Sequence, residues 1–170
     1  MKVNNSKTVQ KARAYALRLL ALQPRSATEV KQRLVRRFDS ELADEIVARL
    51  TQQGLLDDAG FAVWWRDYRQ RTKPRSTTML RRELSAKGVG DADIASALNV
   101  QNPDDEKEIA VQIAKTFARR LANKDFDIFR RKVWSHLRRR GFSSSIAANA
   151  TQQAWDSKTD DRDLERTEYP

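Results

Sequence analysis

Pro24-Arg25-Ser26-Ala27-Thr28-Glu29-Val30-Lys31-Gln32-Arg33-Leu34 recurs fifty positions later as Pro74-Arg75-Ser76-Thr77-Thr78-Met79-Leu80-Arg81-Arg82-Glu83-Leu84. The match is too detailed for chance, and self-similarity at a fixed period marks a chain assembled from stacked supersecondary units. A fainter third copy follows, because Leu80, Leu84 and Gly88 line up with Val133, Leu137 and Gly141 at an offset of fifty-three. Three units are therefore expected over 13–56, 57–101 and 102–156, preceded by a flexible N-terminus over 1–12 and followed by an acidic mobile tail over 157–170.

Each unit reads as three short helices when a period of 3.6 is tested. In the first, Tyr15, Leu19 and Leu22 stripe one helix, and Ser26 with Glu29 forms a capping box that opens a second, striped by Val30, Leu34 and Phe38. A third carries Leu42, Ile46 and Leu50 inward and stops at Gly54. In the second unit Phe61, Trp64, Trp65 and Tyr68 fall at i, i+3, i+4 and i+7, Pro74 breaks the chain, and Leu80 and Leu84 stripe the next helix to its stop at Gly88. Asp91 is the expected cap of a short helix with Ile94 and Leu98. The third unit opens after Asn102-Pro103 with Asp104, Asp105 and Glu106, acids placed favourably at a helix N-terminus. Ile109, Ile113, Phe117 and Leu121 stripe its first helix, Phe129, Val133 and Leu137 its second, and Ser143 or Ser144 caps a third with Ile146, Ala150 and Trp155.

Composition agrees. Of 170 residues 39% are apolar and 33% charged, with only five Gly and four Pro, which leaves little material for the tight turns of a sandwich or barrel. No alternating strand pattern occurs. The expected fold is all-α, an elongated, curved tandem array of three three-helix repeats, since a fifty-residue unit cannot close a core alone and must lean on its neighbour. Zero cysteines exclude disulfides and thiolate zinc sites, and a single histidine excludes multi-histidine metal centres. The longest apolar run, Phe61 to Trp65, cannot span a bilayer, so the sequence predicts a soluble, cytoplasmic protein with no membrane partner.

The net charge is +10, and its distribution is uneven. The last fifteen residues carry six acids and three bases, while residues 1–155 hold 30 basic against 17 acidic residues. Eight basic and two acidic residues lie between Arg66 and Lys87, and ten and two between Lys115 and Arg140. An ordinary solvated surface is the alternative explanation, but an excess this one-sided favours a polyanionic or acidic partner. The candidate binding face comprises Arg66, Arg69, Arg71, Lys73, Arg75, Arg81, Arg82, Lys87, Arg130, Arg131, Lys132, Arg138, Arg139 and Arg140. On the helix through Phe129, Val133 and Leu137, Arg131 and Arg138 fall opposite the apolar stripe, and Trp134 lies beside Arg130 and Arg138, where a base could stack.

Other constellations have plain structural readings. The aromatic group Phe61, Trp64, Trp65 and Tyr68 has helical spacing and reads as core, although adjacent Trp64 and Trp65 cannot both point inward. Asp57 and Asp58 resemble paired catalytic carboxylates, yet they directly precede a helix, where cap and macrodipole partner is the stronger role. His136 reads as a partly buried packing residue. No nucleophile with a base, Gly-rich phosphate loop or metal spacing is present, so neither catalytic activity nor a cofactor is expected.

The residues that carry the repeats also carry a likeness. The chain from Ala14 to Trp155 resembles the RecX family, bacterial regulators of the recombinase RecA. The likeness rests on Gly54-Leu55-Leu56-Asp57-Asp58-x-x-Phe61-Ala62, on Leu80-Arg81-x-Glu83-Leu84-x-x-Lys87-Gly88-Val89, and on Val133-x3-Leu137-x-Arg139-Arg140-Gly141-Phe142. Leu55 departs from the aromatic residue usual there, and the acidic tail lies outside the pattern. The resemblance implies a tandem array of three-helix repeats that docks in the groove of the RecA nucleoprotein filament and restrains filament extension, ATP hydrolysis and strand exchange; the expected partners are that filament and, weakly, single- or double-stranded DNA, and the expected state is a monomer. The alternatives are an autonomous helical DNA-binding protein, since short helices joined at Pro74 or Gly88 mimic helix-turn-helix units, and, last, a nuclease using Asp57 and Asp58.

Overall fold

The computed structural model describes residues 6–99, 103–121 and 123–167. Its elements are α1 (Ser6–Leu22), α2 (Ala27–Leu34), α3 (Ser40–Gln52), α4 (Asp58–Thr72), α5 (Thr77–Ala86), α6 (Asp91–Leu98), α7 (Pro103–Ala118), a 3-10 turn (Arg119–Leu121), α8 (Phe126–Arg138) and α9 (Ser144–Thr167). Among the described residues there is no strand, so the all-helical expectation holds. Three helices stand in each stretch where the periodicity places them.

The backbone packs as two compact units. The first contains residues 6–68 and 81–99, the second 69–80 with the described residues beyond 100. In the first unit a core of Ala12, Ala16, Val30, Leu34, Leu42, Ala43, Ile46, Leu50 and Leu56 joins α1, α2 and α3. The α2 start behaves as its sequence requires. Ser26 Oγ accepts the Glu29 amide at 3.1 Å and Glu29 Oε2 accepts the Ser26 amide, closing the capping box.

In the second unit α7, α8 and α9 enclose Phe129, Val133, Leu137 and Phe142 with two rows of alanine, Ala110, Ala114 and Ala118 on α7 and Ala147, Ala150 and Ala154 on α9. This corrects the expected α7 stripe. Ile109, Ile113 and Phe117 are only half-buried, because methyl side chains let α7 and α9 backbones approach closely and the inward face goes to the small residues.

Several boundaries shift. Helix α1 begins at Ser6, inside the segment expected to be flexible, because Val9 and Ala12 pack on the first core and no Gly or Pro interrupts the run. Residues 1–5 of that segment, the junction at 100–102 and the end of the tail at 168–170 lie outside the described residues. Helix α9 continues to Thr167, past the expected boundary at 156, since nothing between Asp156 and Tyr169 stops a helix. Leu22, expected inward, is 76% exposed because α1 ends there. Phe38 follows α2 in a turn and packs on the first core from there. The N-cap of α6 is Gly90, with Asp91 already inside the helix, and Ser143 Oγ accepts the Ile146 amide before α9.

Candidate functional site

The candidate cations divide into those that join helices within a unit and those that stand exposed. In the first unit Lys87 is a joint. Its carbonyl accepts a 2.6 Å bond from Ser26 Oγ, its ammonium pairs with Glu29 Oε1 at 2.8 Å, and the same ammonium sits 4.1 Å from the Trp65 ring centroid. Arg66 donates to the Ala97 carbonyl at 2.6 Å and pairs with Asp67, its side chain only 15% exposed. Both are therefore engaged by groups of the first unit.

The second unit repeats the joint with different atoms. The Ser76 amide donates to the Arg140 carbonyl at 3.1 Å, and Arg140 Nη1 donates to the Pro74 carbonyl at 3.0 Å. Arg75 Nη1 reaches the Arg139 carbonyl. Arg140 Nε donates to His136 Nε2 at 3.0 Å, and the imidazole lies flat on Phe117 with centroids 4.1 Å apart. Burial first, then the charges of Arg140, Arg139 and Arg120, lowers the His136 pKa to about 4. At neutral pH the ring is uncharged and can accept the Arg140 proton. Arg140 is thus held within the second unit by His136 and the Pro74 carbonyl.

Asp58 has a similar explanation. Its Oδ1 accepts the Ala27 amide at 2.8 Å, and in the second unit Glu106 Oε1 accepts the equivalent Thr77 amide at 3.1 Å. Each acid opens the first helix of a later repeat and tops a Pro-Arg-Ser helix start. Burial, the largest cause, raises the Asp58 pKa, with Asp93, Asp57 and Glu29 adding to it and the Ala27 bond opposing. Asp57 Oδ1 accepts the Gly60 amide at 3.0 Å. Asp57 thus caps α4, the helix it precedes, whereas Asp58, expected in the same role, is the first residue of α4 and caps the start of α2 instead. Among the described residues no group of three or more His, Cys, Asp or Glu is placed to hold a metal ion.

The aromatic stripe on α4 is core only in part. Phe61 is buried, Trp64 and Trp65 are both half-buried, and Tyr68 is 39% exposed while stacking on Trp64 at 5.3 Å. Trp65 gains its burial with a hydrogen bond from Nε1 to Glu83 Oε2.

What remains exposed is a smaller set. Arg81 and Arg82 are open in the first unit, and Arg71, Lys73, Arg130, Arg131, Lys132, Arg138 and Arg139 in the second, with Arg69 half-buried. On α8, Phe129, Val133 and Leu137 are buried, and successive residues advance by about 100°. Arg131, Trp134 and Arg138 consequently share the outer half of that helix, and exposed Arg130 stands at the edge of the buried stripe. Trp134 is 38% exposed, with the Arg138 guanidinium 5.7 Å from its ring centroid. Arg138 is also tied by Nη1 to the Phe142 carbonyl, which fixes the cation beside the ring. An exposed indole held among arginines can stack an unpaired base while the guanidinium groups meet phosphate. Sequence reasoning passed over Arg36 and Arg37 in the turn that follows α2, both exposed, with Arg37 lying 4.6 Å over Tyr15; their adjacency was the available signal.

Comparison with known proteins adds the family. Residues 12–50 match the model described as RecX, first three-helix domain, and residues 57–98 match RecX, second three-helix domain. The regulatory protein RecX of Corynebacterium efficiens is 34% identical over 88% of this chain and 74% of its own length. That of Mycobacterium ulcerans is 37% identical over 81% of each chain. Among solved structures, RecX from Lactobacillus salivarius superposes with a TM-score of 0.73 over 88% of this chain and 98% of its own, at 23% identity, a likeness of fold. A second crystal structure of regulatory protein RecX gives 0.70 at 29% identity, over 81% of this chain and 68% of its own.

Proposed function

The chain belongs to the RecX family of regulatory proteins, and from that membership we propose that it is a negative regulator of the RecA recombinase, acting as a cytoplasmic monomer without catalysis or cofactor. It docks in the groove of the RecA–DNA filament and slows filament extension, ATP hydrolysis and strand exchange. The observation that supports contact with a polyanion is the exposed side of α8, where Arg131 and Arg138 stand with the exposed Trp134 and Arg130 flanks them at the edge of the buried stripe. Arg71, Lys73, Arg81, Arg82, Lys132 and Arg139 supply further open cations. DNA is contacted weakly and within the filament.

The test is RecA ATP hydrolysis on single-stranded DNA with this protein added well below one copy per RecA. Slowing is expected at that ratio, fading as salt screens charges beyond about 8 to 10 Å near physiological ionic strength. A DNA competitor would need enough copies to coat the strand and would be relieved by added DNA. Inhibition that appears only at coating stoichiometry, or vanishes when free DNA is doubled, would replace this reading with autonomous DNA binding.

A further inference from the structure

Helix α7 turns its alanines to α9, which leaves Ile109, Ile113 and Phe117 half-buried on a different face. Those side chains fall at i, i+4 and i+8, about 12 Å from first to last. They line a groove of about 780 Å³ in the second unit, whose other side includes Pro74, His136 and Arg140. Charge along the groove is polar end to end. Asp105, Lys107 and Glu108 line it near the α7 start, where Lys107 is paired with Asp104 and the acids are in excess, and Arg120 lines it just past the α7 end. The His136 ring stacked on Phe117 extends the apolar floor, and Arg140, committed to His136 and the Pro74 carbonyl, braces it.

We propose that this groove docks one amphipathic helix of a partner protein, which seats apolar side chains at i, i+4 and i+8 between Ile109 and Phe117, with an acidic end against Arg120 and a basic end against Asp105 and Glu108. An apolar groove one helix face long is what helix-in-groove recognition uses. Charge selects the occupant. A nucleic-acid backbone is negative along its whole length and would be repelled at the Asp105–Glu108 end. A second copy of a chain of net charge +10 approaches against its own repulsion. A partner helix with opposite charges at its two ends satisfies both rims. The groove lies on α7, apart from the arginine face of α8, and the proposal stands independently of the RecA reading.

The test uses the full-length protein and two synthetic helical peptides, each with Leu at i, i+4 and i+8. One carries Glu at one end and Lys at the other, the second Lys at both ends. Binding is read from amide chemical shifts. The first peptide should bind the wild type about fivefold more tightly than the second, as one partly exposed ion pair provides, with shifts centred on residues 109–120 and 136–140. Arg120 is exposed, so Arg120→Glu should leave the circular dichroism spectrum unchanged and reverse the preference. Equal affinity of both peptides for both proteins would overturn the proposal. So would shifts confined to residues 130–134, groove shifts produced by oligothymidylate, or self-association that Arg120→Glu abolishes.

Discussion

The Ser26 hydroxyl donates to the carbonyl of Lys87, sixty-one positions away, at 2.6 Å. The same oxygen accepts the Glu29 amide, and Glu29 in turn holds the Lys87 ammonium at 2.8 Å. One capping box therefore starts α2 and fastens the end of α5 to it. Ser26 is fully buried, so its polar atoms have no water to fall back on. Ser26→Ala should destabilise the protein by about 1 to 2 kcal/mol in urea unfolding, the upper range for a lost N-cap. Asp39, the N-cap of α3, makes no side-chain cap bond, and Asp39→Ala should stay within about 0.5 kcal/mol. Equal effects of the two substitutions would show that the joint to Lys87 contributes nothing.

Close approach at this joint requires glycine. Gly88 has φ +76°, and a Cβ there would overlap the Thr28 side chain; at Gly141, with φ +92°, it would overlap Ser76 Oγ. Gly54 has φ +66° but open space around its Cα. Gly54→Ala should therefore cost only the backbone term, about 1 kcal/mol, and Gly88→Ala and Gly141→Ala clearly more. Chemical unfolding of the three variants decides it, and equal losses would mean that the contacts to Thr28 and Ser76 yield freely.

His136 is the one histidine of the chain, so its ring resonances report it without ambiguity. Their titration midpoint is expected near 4 rather than 6.5, because burial and then the neighbouring Arg140, Arg139 and Arg120 disfavour the imidazolium. Between these values the unfolded chain takes up a proton that the folded protein refuses. This contribution to stability is complete above pH 6.5 and is lost as pH falls through 4. His136→Gln, which keeps an acceptor for Arg140, should lose less melting temperature than wild type between pH 7 and pH 4.5. A midpoint at 6.5 would contradict the Arg140–His136 bond.

The arginines should separate by role. Arg130→Glu with Arg131→Glu changes two exposed side chains of α8 and should weaken inhibition of RecA ATP hydrolysis while moving stability by about 0.5 kcal/mol or less per site. Arg140→Glu breaks the bonds to His136 and Pro74 and should lower the melting temperature. If the double variant inhibits as well as wild type, the α8 face is solvated surface and the proposed contact with polyanion lies elsewhere.

Much of this molecule was legible in the chain. Ser26 with Glu29 specified a capping box, the stripe Phe129, Val133 and Leu137 specified the inner side of α8, and Gly88 and Gly141 specified stops, because caps, periodicity and positive φ act within a few residues. Arg131 and Trp134 could be placed on the outer side of α8 by the same arithmetic. Tertiary structure alone decided which cations are free. Lys87, Arg66 and Arg140 have the same sequence signature as Arg81 and Arg131, yet carbonyls and carboxylates from 31 to 66 positions away occupy them. It alone decided that α7 meets α9 through Ala110, Ala114 and Ala118, since the bulkier Ile109, Ile113 and Phe117 are the more apolar choice until two backbones come close. Local pattern ranks side chains by hydrophobicity; close packing ranks them by the space left between helices.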